Sequence, residues 1–355
     1  MRRAIAAVSV LAALLVAACG GTDQERSGQG IGQGAGGGAS GGDGGGITVG
    51  LPTAQTSFAN VDVVIAEEKG FFKKQGIDVE VQNFGSGLKA VQAVVAGGVD
   101  IGGSSIEPVA AAAARDQGLK VIGAYADRLT VNVTAPKSIG GVGDLRGKPV
   151  GIQDVGAFRE IMIRSLLERN GMQASDVDYR PVAASGYVNA LLAGQIQAAV
   201  LQQEQYFGVL EQDPKYHALV DLYELEPGYF YGTYFAKSDW LEAHADEAKA
   251  FMTAITEAHR FMYQNEADTL AIASEATGFD RAAVSKAYDV LIGKNKVFPV
   301  DAGLDRKRIE YTLKQLEKLE AVSGEAPSYS ELVDDSAANA AVKELGEPAE
   351  RGAGS

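Results

Sequence analysis

From residue 47 onward, short β-branched runs alternate with glycine- and serine-rich turns and small-apolar helical stretches, and this alternation narrows the possible folds more than any other feature. Ile47-Thr48-Val49-Gly50-Leu51 reads as a strand ended by Pro52, with a polar loop over residues 53–58. Val61, Val64, Ile65, Phe71 and Phe72 recur at helical spacing, and Gly70 supplies a stop signal. Ile77-Asp78-Val79-Glu80-Val81 alternates with period two and predicts the next strand. Strand, loop, helix and strand in this order predict an α/β architecture, a parallel sheet covered by helices.

The unit continues. Gly85-Ser86-Gly87 precedes a predicted helix over 88–96, then a strand over 99–102. Gly103-Ser104-Ser105 reads as a second polar turn, before an alanine-rich helix over 108–116 and a strand over 120–124. A second set opens on Pro149-Val150-Gly151-Ile152, with a turn over 153–157 and a helix over 158–170. Ala93-Val94-Val95-Ala96-Gly97 is echoed by Ala190-Leu191-Leu192-Ala193-Gly194, and each follows a Ser-Gly pair. Two α/β lobes of similar plan are the simplest account. Extended stretches at 130–135 and 229–236 lead to the second lobe and back, and predict a hinge of two crossover strands. Beyond Trp240 the chain is mostly helical, with amphipathic stretches over 248–263, 269–276, 282–292 and 305–319. The boundaries expected are 47–128 with 237–330 for the first lobe, and 129–236 for the second with its crossovers. A tail over 331–355 lacks an apolar stripe near its end and is expected to fray from Ala337.

The N-terminus carries a separate message. Arg2 and Arg3 are followed by an apolar run from Ala4 to Ala18, then Cys19, the single cysteine of the chain. About 20 apolar residues are needed to span a bilayer, so this shorter run suits a signal-peptide core over 1–18. Val16-Ala17-Ala18-Cys19 resembles a bacterial lipoprotein signal, which implies a lipidated Cys19 and a membrane anchor at the extracytoplasmic face. Residues 19–46 are glycine-rich and polar, a flexible stalk of roughly 30 Å mean reach. With no cysteine left after Cys19, stability must come from an apolar core. The net charge of −14, without a basic cluster, argues against nucleic acid.

Ala66-Glu67-Glu68-Lys69-Gly70-Phe71-Phe72-Lys73-Lys74-Gln75-Gly76-Ile77-Asp78-Val79-Glu80 resembles the signature of substrate-binding proteins of ABC importers. The branch is the one handling nitrate, taurine, alkanesulfonates, aromatic acids and thiamine-pyrimidine precursors. The run from Gly85 to Asp100-Ile101 and the stretch Asp144-Leu145-Arg146-Gly147-Lys148-Pro149-Val150-Gly151 follow its pattern as well. The resemblance covers residues 47–320. It implies a two-lobe periplasmic-binding fold of type II, a small-molecule ligand, a permease with its ATPase as partners, a monomer, no enzymatic activity and no cofactor. Glu204-Gln205 stands where the family often carries Glu-Pro, and Glu204 is taken over as a ligand-site residue from that match. The cysteine cluster of some pyrimidine-precursor binders is missing here.

Helix N-termini present unpaired N–H groups and a positive dipole end, which suit an anion. Four such starts are expected to face the cleft: Ser86-Gly87, Ser104-Ser105, Gly156-Ala157 and Ser185-Gly186. Each serine can equally be a helix cap. Thr56 and Ser57 lie in the loop beyond the first strand, where α/β proteins bind ligands. Phe158 and Tyr231 are candidate ring-stacking walls, and Arg159 and Arg128 candidate partners for a carboxylate or sulfonate. Metal-ligand clusters, phosphate loops and nucleophile elbows are missing from the sequence. His217, His244 and His259 are remote from every polar turn. An enzyme on this fold, such as a pyrimidine synthase that consumes its own residues, would need a histidine beside the cleft. The expected function is capture of a small organic anion, a sulfonate or carboxylate, for import. The alternatives are a binder of a neutral heterocycle such as a thiamine-precursor pyrimidine, and a lipoprotein sensor without transport.

Overall fold

The computed structural model describes residues 46–346 and 351, so the signal segment, Cys19 and the glycine-rich stretch to residue 45 lie outside the described residues. Among the described residues the strands are β1 (Gly46–Leu51), β2 (Asp78–Asn83), β3 (Ile101–Ser105), β4 (Leu119–Ala126) and β5 (Val131–Pro136), then β6 (Pro149–Ile152), β7 (Asp178–Pro181), β8 (Ala198–Gln202), β9 (Tyr216–Asp221) and β10 (Gly232–Lys237). They form two five-stranded mixed sheets of the same plan, in the orders β2-β1-β3-β10-β4 and β7-β6-β8-β5-β9. β1 runs parallel to β2 and β3, while β10 runs antiparallel to β3 and β4. The second sheet repeats this, with β5 antiparallel to β8 and β9. Helices cover both, giving the two-lobe periplasmic-binding architecture.

The extended stretches expected at 130–135 and 229–236 contain full strands, β5 over 131–136 and β10 over 232–237, each set between two strands of the lobe it enters. Both are buried along nearly their whole length, which the apolar stretches Val131-Asn132-Val133-Thr134-Ala135 and Thr233-Tyr234-Phe235-Ala236 make possible. The segments that pass between lobes are therefore the shorter ones, residues 127–130 and 226–231. Gly232 has its place because a Cβ there would sit 2.1 Å from the Tyr125 ring.

The first lobe packs on a long C-terminal helix, Ala245–Gln264. Phe72 stacks on Phe251 at 5.8 Å between ring centroids, and Tyr234 meets Phe251 edge-on at 5.0 Å. Each aromatic side chain fully withdrawn from water contributes about 1.5–3 kcal/mol. A polar knot sits inside this core: Asp62 Oδ2 accepts from Tyr234 Oη at 2.8 Å and lies 3.0 Å from His259 Nε2, while His259 Nδ1 lies 2.7 Å from the Pro299 carbonyl. Helix Arg281–Tyr288 packs instead on helix Gln203–Gln212 of the second lobe, with Lys286 paired to Glu211 at 3.0 Å. The C-terminal helices thus touch both lobes.

The expected fraying from Ala337 is corrected by a ten-residue helix, Ser336–Leu345, that buries Ala337, Ala338 and Ala341 against Ala245–Gln264. Alanines spaced three and four apart let two helix backbones approach closely, a stripe too small to read as apolar in sequence. Lys249 and Glu344 pair across this contact at 2.7 Å. Among the described residues no helix is long and apolar enough to cross a membrane.

Candidate functional site

The strand ends β1, β3, β6 and β8 point toward the gap between lobes, where a cavity of about 40 Å³ remains. Small-molecule sites usually enclose about 300–1,000 Å³. The lobes therefore stand close together over this cavity. A larger concavity of about 840 Å³, lined by Glu310, Lys314 and Tyr329 among others, lies outside this cleft and draws no residue from the second lobe.

On the first-lobe side, Ser57 and Asn60 come from the loop after β1, Gly87 and Leu88 from the start of helix Gly87–Val95, and Ser105 from the end of β3. Ser86 caps that helix, its Oγ accepting from Lys89 N–H at 3.4 Å. The N–H groups of Gly87 and Leu88 precede the first i→i−4 bond of the helix, which Ala90 makes to the Ser86 carbonyl. Gly87 is required by close approach, since a Cβ there would lie 2.2 Å from Ser104 Oγ. Ser104 Oγ, Asn60 Nδ2 and Thr53 Oγ1 are buried without a hydrogen-bond partner. Buried polar groups are normally paired. Of the three, Thr53 and Asn60 line the cavity, and Ser104 lies beneath Gly87.

On the second-lobe side, Gln153, Ala157, Phe158 and Arg159 form the turn and first residues of helix Phe158–Arg169, and Gln202 ends β8. Arg159 is the one charged side chain among the described residues lining the cavity, and it is 4% exposed. Its guanidinium lies 4.4 Å over the Tyr187 ring, donates to the Val200 carbonyl, and donates through Nε to Gln153 Oε1 at 3.1 Å. A cation in the first turn opposes the helix dipole. Ring and carbonyls hold it there at the opening on the cavity. The Phe158 ring stands 4.6 Å from that of Tyr231, which meets Tyr125 edge-on at 5.7 Å, so three aromatics form one wall. Tyr231 Oη accepts from Gln202 Nε2 at 3.0 Å, and Gln202 Oε1 accepts from Thr130 Oγ1 at 2.6 Å.

Of the residues singled out from sequence, Ser57, Gly87, Ser105, Ala157, Phe158, Arg159 and Tyr231 line the cavity. Ser104 is not in a turn but inside β3, fully buried beneath Gly87. Thr56, Gly156 and Ser185 do not line it; Gly156 and Ser185 are exposed, and Gly156 N–H donates to Glu160 Oε2 at 3.2 Å. Ser185 lies in a 3-10 turn, Ala184–Gly186, and helix Tyr187–Leu192 begins beyond it. Arg128 is held outside the cavity, donating to the Asn295 carbonyl at 3.0 Å. Asn60, Tyr125, Gln153 and Gln202 are lining residues the sequence reading missed. Gln153, within the predicted turn before helix Phe158–Arg169, carried the one local signal that could have found any of them.

Two carboxyls lie behind the wall. Glu204 is buried; its Oε1 accepts from the Phe58 N–H of the first lobe at 3.2 Å, and its Oε2 has no hydrogen-bond partner. Burial pushes its pKa up to about 7, against the lowering effect of backbone N–H donors and of the Arg159 charge. Glu107, bonded by Tyr229 Oη at 2.5 Å, is likewise raised by burial. His217, His244 and His259 lie apart from the cavity: His217 contacts the Ile139 carbonyl, His244 stacks on Trp240, and His259 sits in the Asp62 knot. Among the described residues no cluster of His, Cys, Asp and Glu could hold a metal ion.

Two lobes joined by two short segments thus meet at a cavity lined by polar side chains, one arginine and an aromatic wall. The chain belongs to the NMT1/THI5-like family, whose model matches residues 57–269. A binding protein of Brucella abortus is 27% identical over 222 residues, 61% of this chain and 68% of that one. The 4-amino-5-hydroxymethyl-2-methylpyrimidine phosphate synthase of Uromyces fabae is 29% identical over 211 residues, 55% of this chain and 61% of that one. Among solved structures, one from Bordetella bronchiseptica RB50 superposes with a TM-score of 0.72 at 23% identity, covering 85% of this chain and 98% of that one. The periplasmic nitrate-binding protein NrtA from Synechocystis PCC 6803 superposes at 0.70 and 16% identity, covering 87% and 91%. The alkanesulfonate-binding protein SsuA from Xanthomonas axonopodis pv. citri, bound to MOPS, superposes at 0.66 and 15% identity, covering 82% and 99%.

Proposed function

We propose that this protein is an extracytoplasmic solute-binding lipoprotein that captures a small organic anion, a sulfonate or carboxylate, and delivers it to an ABC import permease and its ATPase. The observation that carries the anion is the placement on one cavity of Arg159 from the second lobe with the start of helix Gly87–Val95 and the hydroxyl residues Ser57 and Ser105 from the first. An oxyanion there receives a guanidinium from one lobe and N–H and O–H donors from the other. Charge-assisted hydrogen bonds of this kind are roughly twice as strong as neutral ones. The aromatic wall of Phe158, Tyr231 and Tyr125 suits a flat or alkyl portion beside the charged group. The relatives support the reading, since neighbours in fold include a nitrate-binding and an alkanesulfonate-binding protein.

A ligand that bridges both lobes stabilises the shut form by its differential affinity for it, so a permease can distinguish loaded from empty protein by shape. Cys19 would anchor the protein by its lipid, with the glycine-rich stretch as tether. The synthase relative supports a second reading, a pyrimidine-type heterocycle held against the aromatic wall. Catalysis by a cleft histidine finds no support here, since none of the three lines the cavity. Thermal-shift titration with methanesulfonate, taurine, nitrate, benzoate and an aminopyrimidine tests both. The anion reading expects saturable stabilisation by a sulfonate or carboxylate. Stabilisation by the aminopyrimidine alone would replace it.

A further inference from the structure

We infer that Gln153 couples ligand engagement at Arg159 to closure of the first lobe, a positioning role that rests on the solute-binding reading above. Its side chain stands between the lobes. Oε1 accepts from Arg159 Nε at 3.1 Å within the second lobe, and Nε2 donates to the Gly85 carbonyl of the first lobe at 3.0 Å. Gly85 lies two residues before helix Gly87–Val95, whose first residues line the cavity. The bridge needs one acceptor and one donor on the same group, which a primary amide supplies and a carboxylate or guanidinium does not.

Arg159 is fixed from behind by the Val200 carbonyl and the Tyr187 ring, so its free N–H groups and its bond to Gln153 share one orientation. A ligand oxygen held by that guanidinium stiffens a continuous chain: Arg159, Gln153, Gly85, then the donors of the first lobe. A second direct bond between lobes close to the cavity, from Phe58 N–H to Glu204, involves two residues that do not line it. It is a latch that ligand does not touch. Gln153 is the latch that ligand tightens.

The experiment uses the mature chain with Cys19→Ser, carrying a donor–acceptor fluorophore pair at Lys73→Cys in one lobe and Glu168→Cys in the other, both exposed positions. Energy transfer is read without ligand and during titration with methanesulfonate and benzoate. Gln153→Ala is expected to shift the ligand-free distribution toward open and to weaken the probe that wild type binds by about ten-fold, the scale of one hydrogen bond at a charged partner. Gln153→Glu keeps a contact to Arg159 but faces the Gly85 carbonyl with a second acceptor and offsets the guanidinium charge, so it is expected to bind more weakly than Gln153→Ala. An affinity loss with ligand-free transfer unchanged would overturn the coupling and leave Gln153 a mere ligand contact. Wild-type or better affinity in Gln153→Glu would overturn it too. Failure of wild type to bind either probe would instead remove the anion reading, while ligand-free transfer would still decide whether Gln153 bridges the lobes.

Discussion

Glu204→Gln probes the buried carboxyl that joins the lobes. Glu204 is 1% exposed, and burial raises its pKa from 4.5 to about 7. The native protein therefore holds a proton that the unfolded chain has released at intermediate pH. Because the native value is the higher one, the stabilising contribution is fully present below about pH 4.5 and is lost as pH rises to about 7. At 1.36 kcal/mol per pH unit the loss across that window is roughly 3 kcal/mol. That figure is a ceiling. The Phe58 contact lies between lobes, and parting them hydrates the carboxylate without unfolding the chain. Glutamine preserves the acceptor for Phe58 N–H and cannot ionise. Between pH 4.5 and 8 the melting temperature of wild type is expected to fall relative to Glu204→Gln, by several degrees at roughly 2–4 °C per kcal/mol. Differential scanning calorimetry on both proteins across this range reads the gap directly, and taking the difference cancels Glu107 and Asp221, which burial also raises. Parallel curves would refute the reasoning, because they would mean that the Glu204 proton is not bound on folding.

Arg159→Gln removes the cavity's cation while keeping a polar side chain, and is expected to weaken an anionic ligand about ten- to a hundred-fold, measured by isothermal titration calorimetry. Gly87→Ala places a methyl group 2.2 Å from Ser104 Oγ and is expected to cost about 1–3 kcal/mol of stability in urea unfolding. Ser104→Ala removes the clashing oxygen and leaves a 3.3 Å contact, so the double variant should recover part of that loss. Cys19→Ala is expected to release the protein from the membrane fraction or leave its precursor uncleaved; unchanged retention after cell fractionation would rule out the lipid anchor.

Local order was legible in the sequence because its causes are local. Strand alternation, glycine stops and the Ser86 cap depend on residues a few positions apart, and they outlined the two α/β lobes and the helix starts Gly87 and Phe158. Arg159 could be singled out because a cation in a first helical turn opposes the dipole unless something else holds it. Tertiary structure decided the rest. Which sheet β5 and β10 join depends on pairings such as Ser104 with Thr233, 129 residues apart. That pairing turned an expected serine turn into a buried strand end and left its hydroxyl without a partner beneath Gly87. Gln202 gave no local sign of its cavity contacts, since a glutamine at a strand end and one on a cavity wall look alike until the chain folds. Ser185 shared the Ser-Gly pattern of Ser86, yet its helix begins later and turns the residue to solvent. Periodicity determines which elements form. Only packing between distant elements decides which polar groups are stripped of water and turned toward one another, and that is what makes a site.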